Sequence, residues 1–159
     1  MKIQITSHKD AVLTAKKINP THIISITDPG IKSPFEDGFG SSNILQLSFF
    51  DITDSDIALR KPDISPSEEI VKKIYNFGRT FDSDSIVLCH CFLGISRSSA
   101  AGIISLTPSH GGLGATRIVG SLKNKDRDGW NYFQPNGLMI SIFDKLVGFD
   151  GDLEDLIAE

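Results

Sequence analysis

The stretch Ser85-Ile86-Val87-Leu88-Cys89-His90-Cys91-Phe92-Leu93-Gly94-Ile95-Ser96-Arg97-Ser98 decides how this chain folds. Its first five residues, over 85–89, form a short apolar, partly β-branched run of the kind that makes a fully buried strand. The residues that follow Arg97, Ser98-Ser99-Ala100-Ala101-Gly102-Ile103-Ile104-Ser105-Leu106, are small and apolar. They predict a helix packed closely on a sheet, with Ser96 placed to cap its start. Strand, tight loop and helix N-terminus are therefore consecutive. Five residues separate Cys91 from Arg97, enough for successive amides to curl into a concave nest beside the positive end of the helix dipole. Gly94 permits a backbone conformation that a side chain opposes, and the Arg97 guanidinium matches two oxygens of a bound oxyanion. The field that attracts phosphate also favours the anionic form of the Cys91 sulfur, so a nucleophile sits in the anion cradle.

Working outward, 2–6 predicts a strand and 9–18 a helix, with Ser7 at its cap and Asp10 three residues on; 21–27 predicts a second strand. Asp28-Pro29-Gly30 turns the chain into a Gly-, Ser- and Pro-rich loop through residue 42, and 44–49 reads as a third strand. A long polar stretch follows and leads to Ser65-Pro66-Ser67-Glu68-Glu69, a strong helix start whose apolar stripe is Ile70, Val71, Ile74, Phe77 and Phe81. Beyond Leu106, a Pro108–Gly114 loop is expected before helices over 115–124, 138–147 and 153–158. This alternation predicts an α/β three-layer sandwich, a central, largely parallel sheet of four or five strands flanked by helices. The Cys91 loop then falls at a strand's carboxyl end, where open α/β sheets place their ligands.

The His90-Cys91 pair, Gly94, Arg97 and Ser98 resemble the phosphate-binding loop of the cysteine-dependent protein tyrosine phosphatases, in their compact dual-specificity-like branch. The likeness extends more weakly to 21–26, to Leu47-Ser48-Phe49-Phe50-Asp51 and to Pro135-Asn136, and is similar in spacing to small bacterial predicted tyrosine phosphatases. The resemblance implies a phosphomonoester hydrolase acting on phosphorylated proteins or peptides, on phosphotyrosine first and on phosphoserine or phosphothreonine as well if the pocket is shallow. It implies that Cys91 attacks phosphorus, that Phe92, Leu93, Gly94, Ile95, Ser96 and Arg97 hold the phosphoryl oxygens, and that no cofactor or metal takes part. It also implies that His90 orients the loop through hydrogen bonds to the backbone, and that a carboxyl after the Phe-rich strand acts as general acid. Asp51 is that carboxyl, with Asp54 and then Asp56 behind it. Asp51 stands 40 residues before Cys91, longer than the compact phosphatases suggest, and the 54–63 stretch accounts for the excess. Ser98 is placed to donate its hydroxyl to the departing Cys91 sulfur.

Composition narrows the alternatives. A chain of 159 residues with 40% hydrophobic content builds one core, which predicts a single domain over 1–159. The start, Met1-Lys2-Ile3-Gln4-Ile5-Thr6, has no leader pattern and no run reaches membrane-spanning length, so a soluble cytoplasmic protein is expected. A net charge of −4 argues against nucleic acid as a partner. Cys89 and Cys91 lie too close along one strand for a good disulfide and lack company for a zinc site, and Cys89 reads as a small buried hydrophobe. Phe35 and Phe39, and Trp130, Tyr132 and Phe133, read as loop anchors packed on the core more readily than as pocket walls. Two other functions use similar parts: a phosphate-binding module with weak or no catalysis, and a rhodanese-like or arsenate-reducing cysteine enzyme.

Overall fold

The computed structural model describes residues 1–122, 133–149 and 151–158. Its strands β1 (Lys2–Ser7), β2 (His22–Thr27), β3 (Asn43–Ser48) and β4 (Ile86–Cys91) form a four-stranded sheet of order β1-β4-β2-β3. All three neighbouring pairs are parallel, with Lys2 opposite Ile86, His22 opposite Asn43 and His22 opposite Val87. β2 is buried along its whole length and β4 beyond its first residue, whereas β1 and β3 are largely half-exposed. This follows from position: the two inner strands are covered on both faces, so their sequences are mostly apolar and do not alternate. β4 runs two residues further than the apolar run suggests, and Cys91 is its last residue.

Helices cover both faces, giving the expected three layers. On one side α1 (Ala11–Ile18) lays Ala11 and Ala15 against Ile23, Leu88 and Phe35. On the other, α3 (Glu68–Gly78), α4 (Arg97–Ser121), α5 (Gly137–Val147) and α6 (Asp152–Ala158) close the larger core over Ile24, Ile26, Val87 and Cys89. Phe35 is fully buried, Phe39 packs against it edge-on, and Phe133 packs on the larger core, so these aromatics serve as anchors. Trp130 and Tyr132 lie outside the described residues.

Four further differences from the sequence reading each have a local reason. α1 starts at Ala11, not Lys9, because Ser7 Oγ accepts from the Asp10 amide and donates to its carboxylate, closing the strand-to-helix turn before the helix begins. The polar stretch after Asp51 is not a plain loop. Asp54 accepts from the amides of Asp56 and Ile57 and so nucleates α2 (Ser55–Arg60), followed by a 3-10 turn at Pro62–Ile64. α3 starts at Glu68 under a Ser67 cap and ends at Gly78, so Phe81 leaves the helix yet still packs on its core.

The fourth correction is the expected Pro108–Gly114 loop, which is helical except at Gly111 (φ 70°, ψ 164°). The hydroxyls of Ser105, Thr107 and Ser109 donate to the carbonyls of Gly102, Ile103 and Leu106, supplying donors around a proline that has none. Helical geometry breaks at this one glycine, and α4 consists of two helical segments that meet at a kink there. α4 closes at Ser121, and Asn124 lies outside the described residues.

Candidate active site

Three parallel strands deliver the site. β4 ends at Cys91, β3 runs into Phe49, Phe50 and Asp51, and β2 runs into Asp28. Cys91, Arg97, Asp51 and Asp28 line one cleft of about 510 Å³ together with Phe50, Phe92, Leu93, Ile95, Ser96 and Gln134, a size suited to a small ligand or a side chain. Asp54 and Asp56 do not line it. Asp54 is committed to its cap. A larger cavity of about 620 Å³, between Lys2, Ile86, Leu106 and Ile118, opens elsewhere and holds none of the predicted site residues.

Cys91 is buried, and its Sγ lies 3.2 Å from Ser98 Oγ. A hydroxyl at that distance stabilises a sulfur anion by donating to it. The loop after Cys91 is pinned to β1: the His8 amide donates to the Phe92 carbonyl, and Gly94 (φ +75°) lies so close that a Cβ there would be 2.5 Å from the Thr6 carbonyl carbon. Glycine is required twice over, by conformation and by contact. Phe92 and Leu93 are instead 61% and 66% exposed and form an apolar lip.

Arg97 is buried at 3% exposure. Its Nη1 donates to Asp28 Oδ1 at 2.7 Å and to the Phe49 carbonyl at 2.6 Å, while its Nε has no hydrogen-bond partner among the described residues. One side of the guanidinium is thus clamped, and an uncompensated N–H remains on a buried cation in the cleft. That is the chemistry of a fork waiting for an oxyanion. Asp28, read from sequence as a turn former, is the clamp; the available signal was a carboxylate directly after a fully buried strand.

Asp51 Oδ1 accepts from Ser96 Oγ and from Asn136 Nδ2, both at 2.7 Å. Ser96 occupies the N-cap position of α4, but its hydroxyl makes no cap bond and is given to Asp51 instead. Asn136 was visible only as part of the Pro135-Asn136 likeness. His90 is fully buried, and its Nε2 pairs with Ser25 Oγ at 2.7 Å, which in turn meets Ser33 Oγ at 2.7 Å. A side-chain hydroxyl thus holds that ring at Nε2. Burial, and after it the neighbouring His8 and Arg97, push the His90 pKa down to about 4, against a weaker opposing effect of the Cys91 backbone. Burial also drives the Cys89 thiol far up, which keeps it protonated and inert. Among the described residues, no group of three or more His, Cys, Asp or Glu side chains is placed to hold a metal ion.

No family model and no curated protein matches the chain. Solved structures do. DUSP15 is 19% identical and superposes with a TM-score of 0.58, covering 98% of this chain and 88% of the other. Human DUSP28 is 18% identical, with a TM-score of 0.56 over 90% of this chain and 86% of its own. Tk-PTP in its active form is 16% identical, with a TM-score of 0.55 over 92% and 91%. The sheet order, the cleft at its carboxyl edge and these superpositions agree: the chain has the fold of the cysteine-dependent tyrosine phosphatases, in the compact form of the dual-specificity branch.

Proposed function

We propose that this protein is a phosphomonoester hydrolase, acting on phosphotyrosine and on other phosphorylated side chains of proteins or peptides, through a cysteinyl-phosphate intermediate. The observation that carries the reading is the meeting, in one cleft, of Cys91, a buried Arg97 with an unpartnered Nε, and Asp51. The Cys91 sulfur attacks phosphorus in line, and the bond from phosphorus to the ester oxygen breaks. Asp51 gives that oxygen its proton as the alcohol or phenol leaves. Arg97 and the amides of Phe92 to Arg97 hold the non-bridging oxygens. In the second half, Asp51 as carboxylate takes a proton from water, the water oxygen displaces sulfur from phosphorus, and Ser98 donates to the departing thiolate. His90 supports the loop and carries no proton in the cycle. A reducing compartment such as the cytoplasm suits a free thiolate, and both cysteines are free.

The substrate class rests on the rim. Among the described residues lining the cleft, Arg97 is the sole cation, and Phe50, Phe92, Leu93 and Ile95 are apolar. That lining favours one phosphoryl group on an aromatic or uncharged carrier over inositol polyphosphates or nucleic acid, whose further charges find no cation among the described lining residues.

Hydrolysis of p-nitrophenyl phosphate by wild type, Cys91→Ser, Asp51→Ala and Asp54→Ala, across pH and with a chelator present, tests the reading. Cys91→Ser is expected to fall to background while still binding vanadate. Asp51→Ala is expected to lose roughly 10²–10³-fold and the basic limb of the profile. Undiminished activity in Cys91→Ser rejects covalent catalysis. A wild type that binds vanadate without turning over substrate is a phosphate-binding module.

A further inference from the structure

Asn136 is 1% exposed at the start of α5, and its side chain splits its two ends between different tasks. Oδ1 accepts from the Met139 amide at 2.9 Å, which caps the helix. Since an N–H donor must meet the oxygen, this bond fixes the amide's orientation and turns Nδ2 toward the acid segment. There Nδ2 donates to Asp51 Oδ1 at 2.7 Å and to the Ile52 carbonyl at 3.2 Å, and the Asn136 backbone N–H donates to the Ser96 carbonyl at 3.1 Å. One residue therefore ties α5, the segment after β3 and the end of the Cys91 loop together.

We propose that Asn136 is a positioning residue that holds Asp51 in its proton-donating pose, with the Ser96 hydroxyl as the second tie. The proposal rests on Asp51 being the general acid. Asp51 is solvent-exposed on a short irregular segment, where an untethered carboxyl samples several rotamers and reaches the leaving oxygen in few of them. Both donors engage Oδ1, so Oδ2 is the atom left to hold a transferable proton. The donors are also neutral. A lysine or arginine in their place would lock the carboxyl ionised, whereas an amide and a hydroxyl orient it through both halves of the cycle. The tie to Ile52 holds the backbone beside Asp51, so the acid is set before substrate arrives.

The test uses Asn136→Ser, which retains a capping oxygen but is too short to reach Asp51, and Asn136→Asp, which keeps the cap and replaces the donor by a like charge. Each is made in the wild type and in Asp51→Ala, and folding is checked by thermal unfolding. Two substrates are compared: phenyl phosphate, whose phenolate needs a proton to leave, and difluoromethylumbelliferyl phosphate, whose leaving group departs without one. Both variants are expected to lower kcat/KM on phenyl phosphate about tenfold or more, within the 10²–10⁴ span of general acid catalysis. On the second substrate the loss stays near twofold, and in the Asp51→Ala background nothing further is lost. Equal losses on both substrates, or the same loss with Asp51 already removed, make Asn136 a support of the fold and overturn the proposal. If Asp51→Ala itself leaves phenyl phosphate hydrolysis intact, the acid assignment fails first and the proposal falls with it.

Discussion

Arg97 shows how a single buried charge organises its surroundings. The guanidinium is nearly inaccessible, so removing Asp28, its partner at 2.7 Å, leaves a cation whose remaining hydrogen bond among the described residues is to the Phe49 carbonyl. Breaking one side of such a pair is costly, and here it also frees the fork to rotate. Asp28→Ala is expected to raise KM and the vanadate inhibition constant about tenfold, the loss of one oriented charge-assisted contact. Asp28→Asn, whose amide oxygen still accepts, should recover most of it, as steady-state kinetics with vanadate titration will show. The same residue marks the limit of what the sequence discloses. Cys91, Gly94, Arg97 and Ser98 were legible because their roles depend on spacing within one loop. Asp28 and Asn136 act across 69 and 85 residues of chain, and nothing local separates a clamp from a turn former or a helix cap. Ser25 was hidden the same way: a serine in an apolar strand is unremarkable until His90 is seen beside it.

At the scale of elements, packing between α3 and α4 is set by Gly78. A Cβ there would lie 1.9 Å from the Ser105 carbonyl oxygen, a backbone atom that cannot yield without moving α4. Because α4 begins at Arg97, a shift in this helix displaces the anion site as well. Gly78→Ala is expected to destabilise the fold by about 3 kcal/mol, the upper range for overpacking, and to lower activity at temperatures where the protein is still folded. Urea unfolding and the assay separate the two effects. Strands and helices were legible here as patterns: the apolar runs of β2 and β4, the acidic first turn and stripe of α3, the small residues of α4. The ends were not, since the Ser7–Asp10 pair, the Asp54 cap and the hydroxyls around Pro108 are choices among equivalent local hydrogen bonds.

For the whole molecule, the buried His90 ties stability to pH. Its folded-state pKa of about 4 lies below the ordinary 6.5, so between these values the unfolded chain binds the proton more readily. Stability therefore falls as pH is lowered from 6.5 toward 4 and is insensitive to this residue above that window. Burial lowers the His22 value too, and adds in the same direction. Denaturant unfolding of wild type and His90→Gln between pH 4 and 7 should show a shallower pH slope in the variant; parallel slopes would assign the acid sensitivity elsewhere.

The parallel pairing of β1 with β4 has a kinetic consequence. Lys2 finds its neighbour in Ile86, 84 residues later in the chain, so β1 emerges long before the strand it pairs with. Pairings of such long sequence separation close slowly. Until then β1 offers an unpaired edge to other chains, and β4 covers that edge when it inserts between β1 and β2. The last residue of β4 is Cys91; the step that pairs β1 is also the one that brings Cys91 into the cleft.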